Sequence, residues 1–257
     1  MKLSLRFVSV LVFAAACSLL PAQQAAPAKA PKPDASAAIE KKDTDGRFRK
    51  MHDSFLARGK AGPIGVLFIG DSITAGWTKA PHVWEHYFGK YQPANFGIGG
   101  DQTQHVIWRI ENGELDGIKP KVVVLMLGTN NTGTHTADEI AAADQKIVGM
   151  IRAKLPETKV VVLAIFPRGP RKNAAGVITP EVAAEAGKRQ EIIAAANLQL
   201  AKLDDGQNVR SLDINSVFLG QDGKIPFSIM PDQLHPNAAG YQLWADALQP
   251  LLTSLMK

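Results

Sequence analysis

Short apolar runs recur along this chain, each closed by a polar turn that contains glycine or asparagine. Val66 to Ile69 ends in Gly70-Asp71-Ser72, Ala94 to Ile98 in Gly99-Gly100-Asp101, and Lys121 to Leu127 in Gly128-Thr129-Asn130-Asn131. Val160 to Phe166 and Val209 to Ile214 complete the set. Runs this short, continuous and rich in β-branched residues predict strands buried on both faces, as in a parallel sheet. Between them the period changes to helical. Helices are predicted over 44–56 with Phe48, Met51, His52 and Phe55 on one face, then over 81–88, 103–110, 136–155, 180–203 and 238–256. Thr136 and Glu139 have the spacing of a capping box at the start of one of them.

Strand and helix alternate five times, which predicts an α/β fold with a doubly wound, mostly parallel sheet. Right-handed crossovers place the turns that follow the strands at one sheet edge, where open α/β sheets bind ligands. Ser72, Gly100 and Asn130 are therefore expected to converge.

The first 22 residues read differently. Lys2 and Arg6 precede an apolar stretch from Phe7 to Leu20, and Leu20-Pro21-Ala22 ends in a small residue. This is the pattern of a secretory signal peptide, too short in its apolar part to span a membrane comfortably, so a secreted or periplasmic protein is expected. A lipoprotein signal using Cys17 is the competing reading. It ranks lower because Ala14-Ala15-Ala16 lacks the larger aliphatic residue usual before such a cysteine. Residues 23–42, rich in Ala, Pro, Gln and Lys, are expected to form a disordered linker. One domain over 43–257 remains. The formal charge is +5, and loss of Lys2 and Arg6 leaves +3 without a basic cluster, so nucleic acid is not an expected partner. No later apolar stretch is long enough for a membrane span. Cys17 is the single cysteine, so a chain that sheds its leader forms no disulfide.

A serine after a buried strand is a candidate nucleophile, and it needs a base, an orienter for that base and donors for an oxyanion. Late in the chain, Asp232 and His235 stand three residues apart, just before the last helix. That spacing lets a local turn bring the carboxylate to Nδ1, leaving Nε2 for the Ser72 proton. By itself, an Asp-x-x-His pair is as readily a surface turn whose Asn237 caps a helix. Gly100 offers a backbone N–H and Asn130 a side-chain amide for the oxyanion, beside the N–H of Ser72. Asp71 and Asp101 are expected to tie loops together, and Arg109 to serve a structural ion pair. Asp71, Ile73 and Trp77 are the candidates for substrate contact, with Trp77 a stacking platform or a core residue. The loop from Arg168 to Asn173 is expected to rim the site. His82-Val83-Trp84-Glu85-His86 matches a zinc-protease pattern, but no further ligand is evident downstream, and no metal is expected.

Together, Gly70-Asp71-Ser72-Ile73-Thr74, Gly100, Gly128-Thr129-Asn130-Asn131 and Asp232-x-x-His235 resemble the four blocks of the SGNH (GDSL-type) hydrolases. The stretch from Asn95 through Gly100, Trp108 and Arg109 to Leu115, with Lys119-Pro120-Lys121 and Pro167-Arg168-Gly169, resembles the catalytic subunits of the platelet-activating factor acetylhydrolases. Ile73-Thr74-Ala75-Gly76-Trp77 and Gln233-Leu234-His235-Pro236 are more similar to secreted bacterial acetylesterases. The resemblance implies a flavodoxin-like three-layer α/β/α sandwich with a five-stranded sheet and no cofactor. It implies Ser72 as nucleophile, His235 as base, Asp232 as its orienter, and Ser72, Gly100 and Asn130 as oxyanion donors. The animal relatives pair as dimers, which makes a second copy of the chain a candidate partner. The expected function is a secreted serine esterase acting on short acyl esters, above all O-acetyl groups of carbohydrate. The alternatives are a phospholipid acetylhydrolase or a lysophospholipase and thioesterase, and, in another class, a non-catalytic carbohydrate-binding module.

Overall fold

Five parallel strands form one sheet in the order β2-β1-β3-β4-β5, where β1 is Val66–Gly70, β2 Pro93–Gly97, β3 Val122–Met126, β4 Lys159–Leu163 and β5 Val209–Leu212. The computed structural model describes residues 32–257, and Pro33–Lys257 form one compact unit. Pairing is in step across the centre, with Val66 opposite both Pro93 and Val122. All five residues of β1 and of β3 are buried, the consequence of apolar runs that present side chains to two covered faces.

Two cores follow from that alternation. On one face Leu67, Ile69, Phe96, Val123, Leu125 and Val162 pack under α1 (Arg47–Lys60), α4 (Thr103–Glu111), α5 (Ala137–Lys154) and α6 (Pro180–Leu200). On the other, Val66, Phe68, Val122, Val124 and Val161 pack under α3 (Pro81–Phe88) and α7 (Ala238–Leu255). The result is the expected α/β/α sandwich with a flavodoxin-like strand order. The first helix begins at Arg47 rather than Thr44. The capping box forms as read: Thr136 N–H donates to Glu139 Oε2 at 2.8 Å, and Glu139 N–H to Thr136 Oγ1 at 3.3 Å. Among the described residues no helix is long and apolar enough to cross a membrane.

The expectation of a leader over 1–22, and the linker as far as residue 31, lie outside the described residues. Residues 33–42 depart from the linker expectation. Ala35 is buried, and its carbonyl accepts from Thr103 Oγ1 at 2.8 Å. Ile39 N–H donates to Gln104 O at 3.1 Å, and Lys146 Nζ to Ser36 O at 2.8 Å. The segment is held through its main chain, so it has no need of the hydrophobic period by which ordered chain is recognised.

The order of the strands reverses between β1 and β3, because β2 lies outside β1. In open α/β sheets such a switch point, at the edge formed by the carboxyl ends of the strands, is where ligands bind. Ser72, the Gly99–Asp101 turn and the Gly128–Asn131 turn all leave the sheet at this edge.

Candidate active site

Ser72 opens the short helix α2 (Ser72–Ala75) directly after β1. Asp71 shapes the turn: its Oδ1 accepts from Ile73 N–H at 2.9 Å, and its carbonyl accepts from Ala75 N–H at 2.9 Å. Gly70 is required here because any Cβ would collide with Thr74 Oγ1 and the Met126 carbonyl. Gly97 is likewise required, since a Cβ would strike the backbone of Thr74 and Ala75. Together these glycines let α2 rest on the ends of β1 and β2.

Ser72 Oγ lies 2.8 Å from His235 Nε2, and His235 Nδ1 lies 2.7 Å from Asp232 Oδ2. The other carboxylate oxygen, Oδ1, accepts from the N–H groups of His235 at 2.7 Å and Leu234 at 3.1 Å. Asp232 thus folds its own turn and holds the imidazole with its two oxygens. Partial burial works to raise the Asp232 carboxyl, but the ring and backbone N–H groups of His235 outweigh it and bring the group down to about 2. Between the two, Gln233 adopts a left-handed backbone at φ 60°. Its side chain donates to Ile225 O at 3.1 Å and its carbonyl accepts from Gly169 N–H at 2.8 Å, ties that keep a non-glycine residue in this uncommon region.

The other two loops close on the same point. Gly100 has φ 76°, and a Cβ placed on Gly99 would lie 3.9 Å from Ser72 Cβ. Asn130 Nδ2 donates to Asp101 O at 2.8 Å and faces Asp71 Oδ2 at 3.3 Å, so one amide links all three loops. Gln102 Nε2 adds a bond to Asn130 O at 2.9 Å. Burial dominates the carboxyls beneath the site. It pushes Asp71 up to about 7 against the pull of the Ile73 N–H, and Asp101 up to about 6 against the cations of Arg109 and Lys41. Burial also lowers His105 to about 4, and its Nδ1 accepts from Gln102 N–H at 3.0 Å.

Arg109 is fully buried. Its Nη1 lies 2.6 Å from Glu114 Oε2, and its Nε faces Asp101 Oδ2 at 3.1 Å, close enough for an ion pair though off the angle of a hydrogen bond. Its expected structural role is what the geometry displays.

All three substrate-contact candidates are buried, and for Trp77 the packing matches the core alternative. Trp77 is 1% exposed and packs against Tyr241 and Trp244 at ring distances of 4.7 and 4.8 Å. Ile73 is 0% exposed, and its carbonyl accepts from Tyr241 O–H at 2.6 Å. Asp71 is equally enclosed and serves the loops rather than an open surface. The loop after β4, the one expected at the rim, does touch the site residues: Arg171 reaches Asp232 Oδ2 at 2.5 Å and Arg168 Nη1 lies 3.3 Å from Thr129 O. Sequence reasoning missed Lys41, Gln233 and Arg171. Only Arg171 carried a signal, its place in a loop already expected at the rim.

Residues 68–243 match the model of the GDSL-like Lipase/Acylhydrolase family. The chain belongs to this family. The platelet-activating factor acetylhydrolase IB subunit alpha1 of Bos taurus is 36% identical over 230 residues, which cover 90% of this chain and 90% of that one. Among solved structures, a GDSL-like lipase from Bacteroides thetaiotaomicron superposes with a TM-score of 0.60 at 18% identity, covering 79% of this chain and 97% of the other. A carbohydrate acetylesterase from Sinorhizobium meliloti gives a TM-score of 0.59 at 20% identity, over 75% and 99%. These two likenesses establish the SGNH fold, and the family establishes the chain as an ester hydrolase of the acylhydrolase type.

Proposed function

We propose that this ester hydrolase is a secreted serine esterase acting on acetyl and other short acyl esters, most of all O-acetyl groups on carbohydrate. One observation carries the mechanism: Ser72 Oγ, His235 and Asp232 stand in series at 2.8 and 2.7 Å. Ser72 Oγ attacks the acyl carbonyl carbon while His235 Nε2 takes its proton. The oxyanion accepts from the N–H groups of Ser72 and Gly100 and from Asn130 Nδ2, whose 3.3 Å contact to Asp71 is long enough to yield. His235 returns the proton to the departing alcohol, leaving an acyl-serine. Water, deprotonated by the same imidazole, attacks that ester and releases the acid and free Ser72. Asp232 stays ionised throughout, as its lowered carboxyl requires.

The acetyl preference rests on the relatives, whose name specifies acetyl hydrolysis. Carbohydrate as the alcohol rests on the leader pattern at Lys2, Arg6 and Phe7 to Leu20, which directs the chain to where acetylated polysaccharide is met. A second reading, a phospholipid acetylhydrolase, is favoured by a cleft of about 810 Å³ beside the Asp232 turn, lined by Pro167, Ile178, Leu219, Ile225, Phe227 and Gln233.

Turnover of an aryl acetate and an aryl octanoate by wild type and Ser72→Ala tests the reaction. The variant is expected to lose on the order of 10³-fold or more in kcat, and a serine-directed phosphonate is expected to label Ser72. Retained turnover in the variant would refute the serine mechanism, and an octanoate preference the acetyl assignment. Acetylated xylan oligomers assayed beside an acetylated ether phospholipid separate the two readings.

A further inference from the structure

The segment 33–42 is bonded to the start of α4 at Thr103 and Gln104 and reaches the Gly99–Asp101 turn through the side chain of Lys41. Lys41 Nζ donates to Gly99 O at 2.5 Å and faces Asp101 Oδ1 at 3.4 Å. Its side chain is 21% exposed. Lys41 is kept in place from both sides. Ile39 N–H is bonded to Gln104 O, and Glu40 is paired with Arg49 of α1.

The bond to Gly99 O matters because of what that oxygen belongs to. The Gly99 carbonyl and the Gly100 N–H are the two ends of one peptide unit. That unit is planar and trans, so its C=O and N–H point in opposite directions. Fixing the oxygen fixes the hydrogen. The turn is closed by Asp101 N–H on Ile98 O at 3.1 Å, but that bond engages neither end of the Gly99–Gly100 peptide, and two consecutive glycines, one of them at φ 76°, oppose its rotation little. A cation on the carbonyl also draws electron density toward oxygen and makes the opposite N–H a stronger donor.

We propose that Lys41 is a positioning residue of the oxyanion hole: its ammonium on Gly99 O aims and polarises the Gly99–Gly100 peptide so that Gly100 N–H is presented to the acyl oxygen. The inference rests on the Ser72 esterase reading above. It gives the strap of residues 33–42 a part in catalysis through that peptide, without contact to substrate.

The experiment compares Lys41→Met, Lys41→Arg and Ser72→Ala with wild type on an aryl acetate, with a boronic acid as mimic of the tetrahedral state. For Lys41→Met the expected result is a fall in kcat of about 10- to 100-fold with KM within about threefold, since only transition-state stabilisation is touched. Boronate affinity is expected to fall by a similar factor while the unfolding midpoint stays near wild type. Lys41→Arg is expected to restore most of the rate. Should Lys41→Met fail to fold, Lys41→Gln, which keeps a donor to Gly99 O without the charge, takes its place with an intermediate loss expected. Wild-type kcat and boronate affinity in the uncharged variant would overturn the inference. So would a rate loss matched by the loss of folded protein, or an arginine variant no better than methionine. Ser72→Ala keeps the two levels apart: if it retains turnover, the esterase reading itself fails, whereas an inactive Ser72→Ala beside an unimpaired Lys41→Met removes only the role of Lys41.

Discussion

Arg171 Nη2 and His235 Nδ1 share one oxygen, Asp232 Oδ2, at 2.5 and 2.7 Å. The guanidinium therefore draws on the same negative charge that steadies an imidazolium at position 235. Of the other charged or titratable groups nearby, Asp71 and Tyr241 lie behind the Ser72 turn, and both are fixed by bonds to backbone. Removing the Arg171 cation leaves the whole carboxylate charge to the ring, which better steadies the imidazolium formed when Ser72 gives up its proton. In Arg171→Ala, kcat/KM on an aryl acetate at low salt is expected to rise about twofold, the scale of an exposed ion pair, Arg171 being 51% exposed. The difference from wild type is expected to shrink in about 0.5 M salt, which screens surface charge. Equal kcat/KM at low salt would show that the pair has no hold on the base.

Arg171 also marks the limit of what the residues alone disclosed. The strand runs were legible because a parallel sheet covers both faces and leaves continuous β-branched sequence, as in Val122 to Met126. The Asp232 turn was legible because both partners fall within one local turn. Arg109 was recognisable as an ion-pair residue, with Glu114 five positions on. What stayed hidden depends on distant chain. Trp77 is covered by Tyr241 and Trp244 of the last helix, and nothing near Trp77 announces them. Lys41 sits in a stretch without hydrophobic period, because its segment is held largely through main-chain N–H and C=O groups that nearly every sequence possesses. Gln233 takes a backbone conformation for which no local rule selects glutamine.

The buried cluster around Arg109 predicts a stability effect. Arg109 joins Glu114 and Asp101 while its Nη1 donates to Phe96 O at 3.0 Å, all without exposure. Replacing it by methionine leaves two carboxylates in the core beneath the Gly99–Asp101 turn. Arg109→Met is expected to cost about 3–5 kcal/mol in urea unfolding, the usual result of breaking one side of a buried pair. Adding Glu114→Gln removes one of the stranded charges and is expected to recover part of the loss. A loss below about 1 kcal/mol in the single variant would mean that water reaches the cluster and that it contributes little.

Asp71 predicts a pH dependence of the fold. It is fully enclosed, and burial raises its carboxyl from the ordinary 3.8 to about 7, with the nearby Asp101 adding to the rise. Between those values the folded chain holds a proton that the unfolded chain has released. Folding then favours the protonated form, so the stabilising contribution is whole below the unfolded value and is lost as pH rises through about 7. Asp101, raised to about 6, acts in the same direction but is spent one unit sooner. Asp232 acts in the opposite sense and in a lower window, between its ordinary 3.8 and about 2, where falling pH costs stability. Asp71→Asn should therefore flatten the decline of the unfolding midpoint between pH 6 and 7 and leave the slope below pH 4 as it was. The side-chain oxygen of Asn at this position still accepts from Ile73 N–H, while its amide nitrogen faces Asn130 Nδ2. The slope across pH, and not the midpoint at any one pH, is thus the quantity to compare. An unchanged slope between pH 6 and 7 would show that Asp71 is already ionised there, with Asn130 and Arg168 compensating its burial.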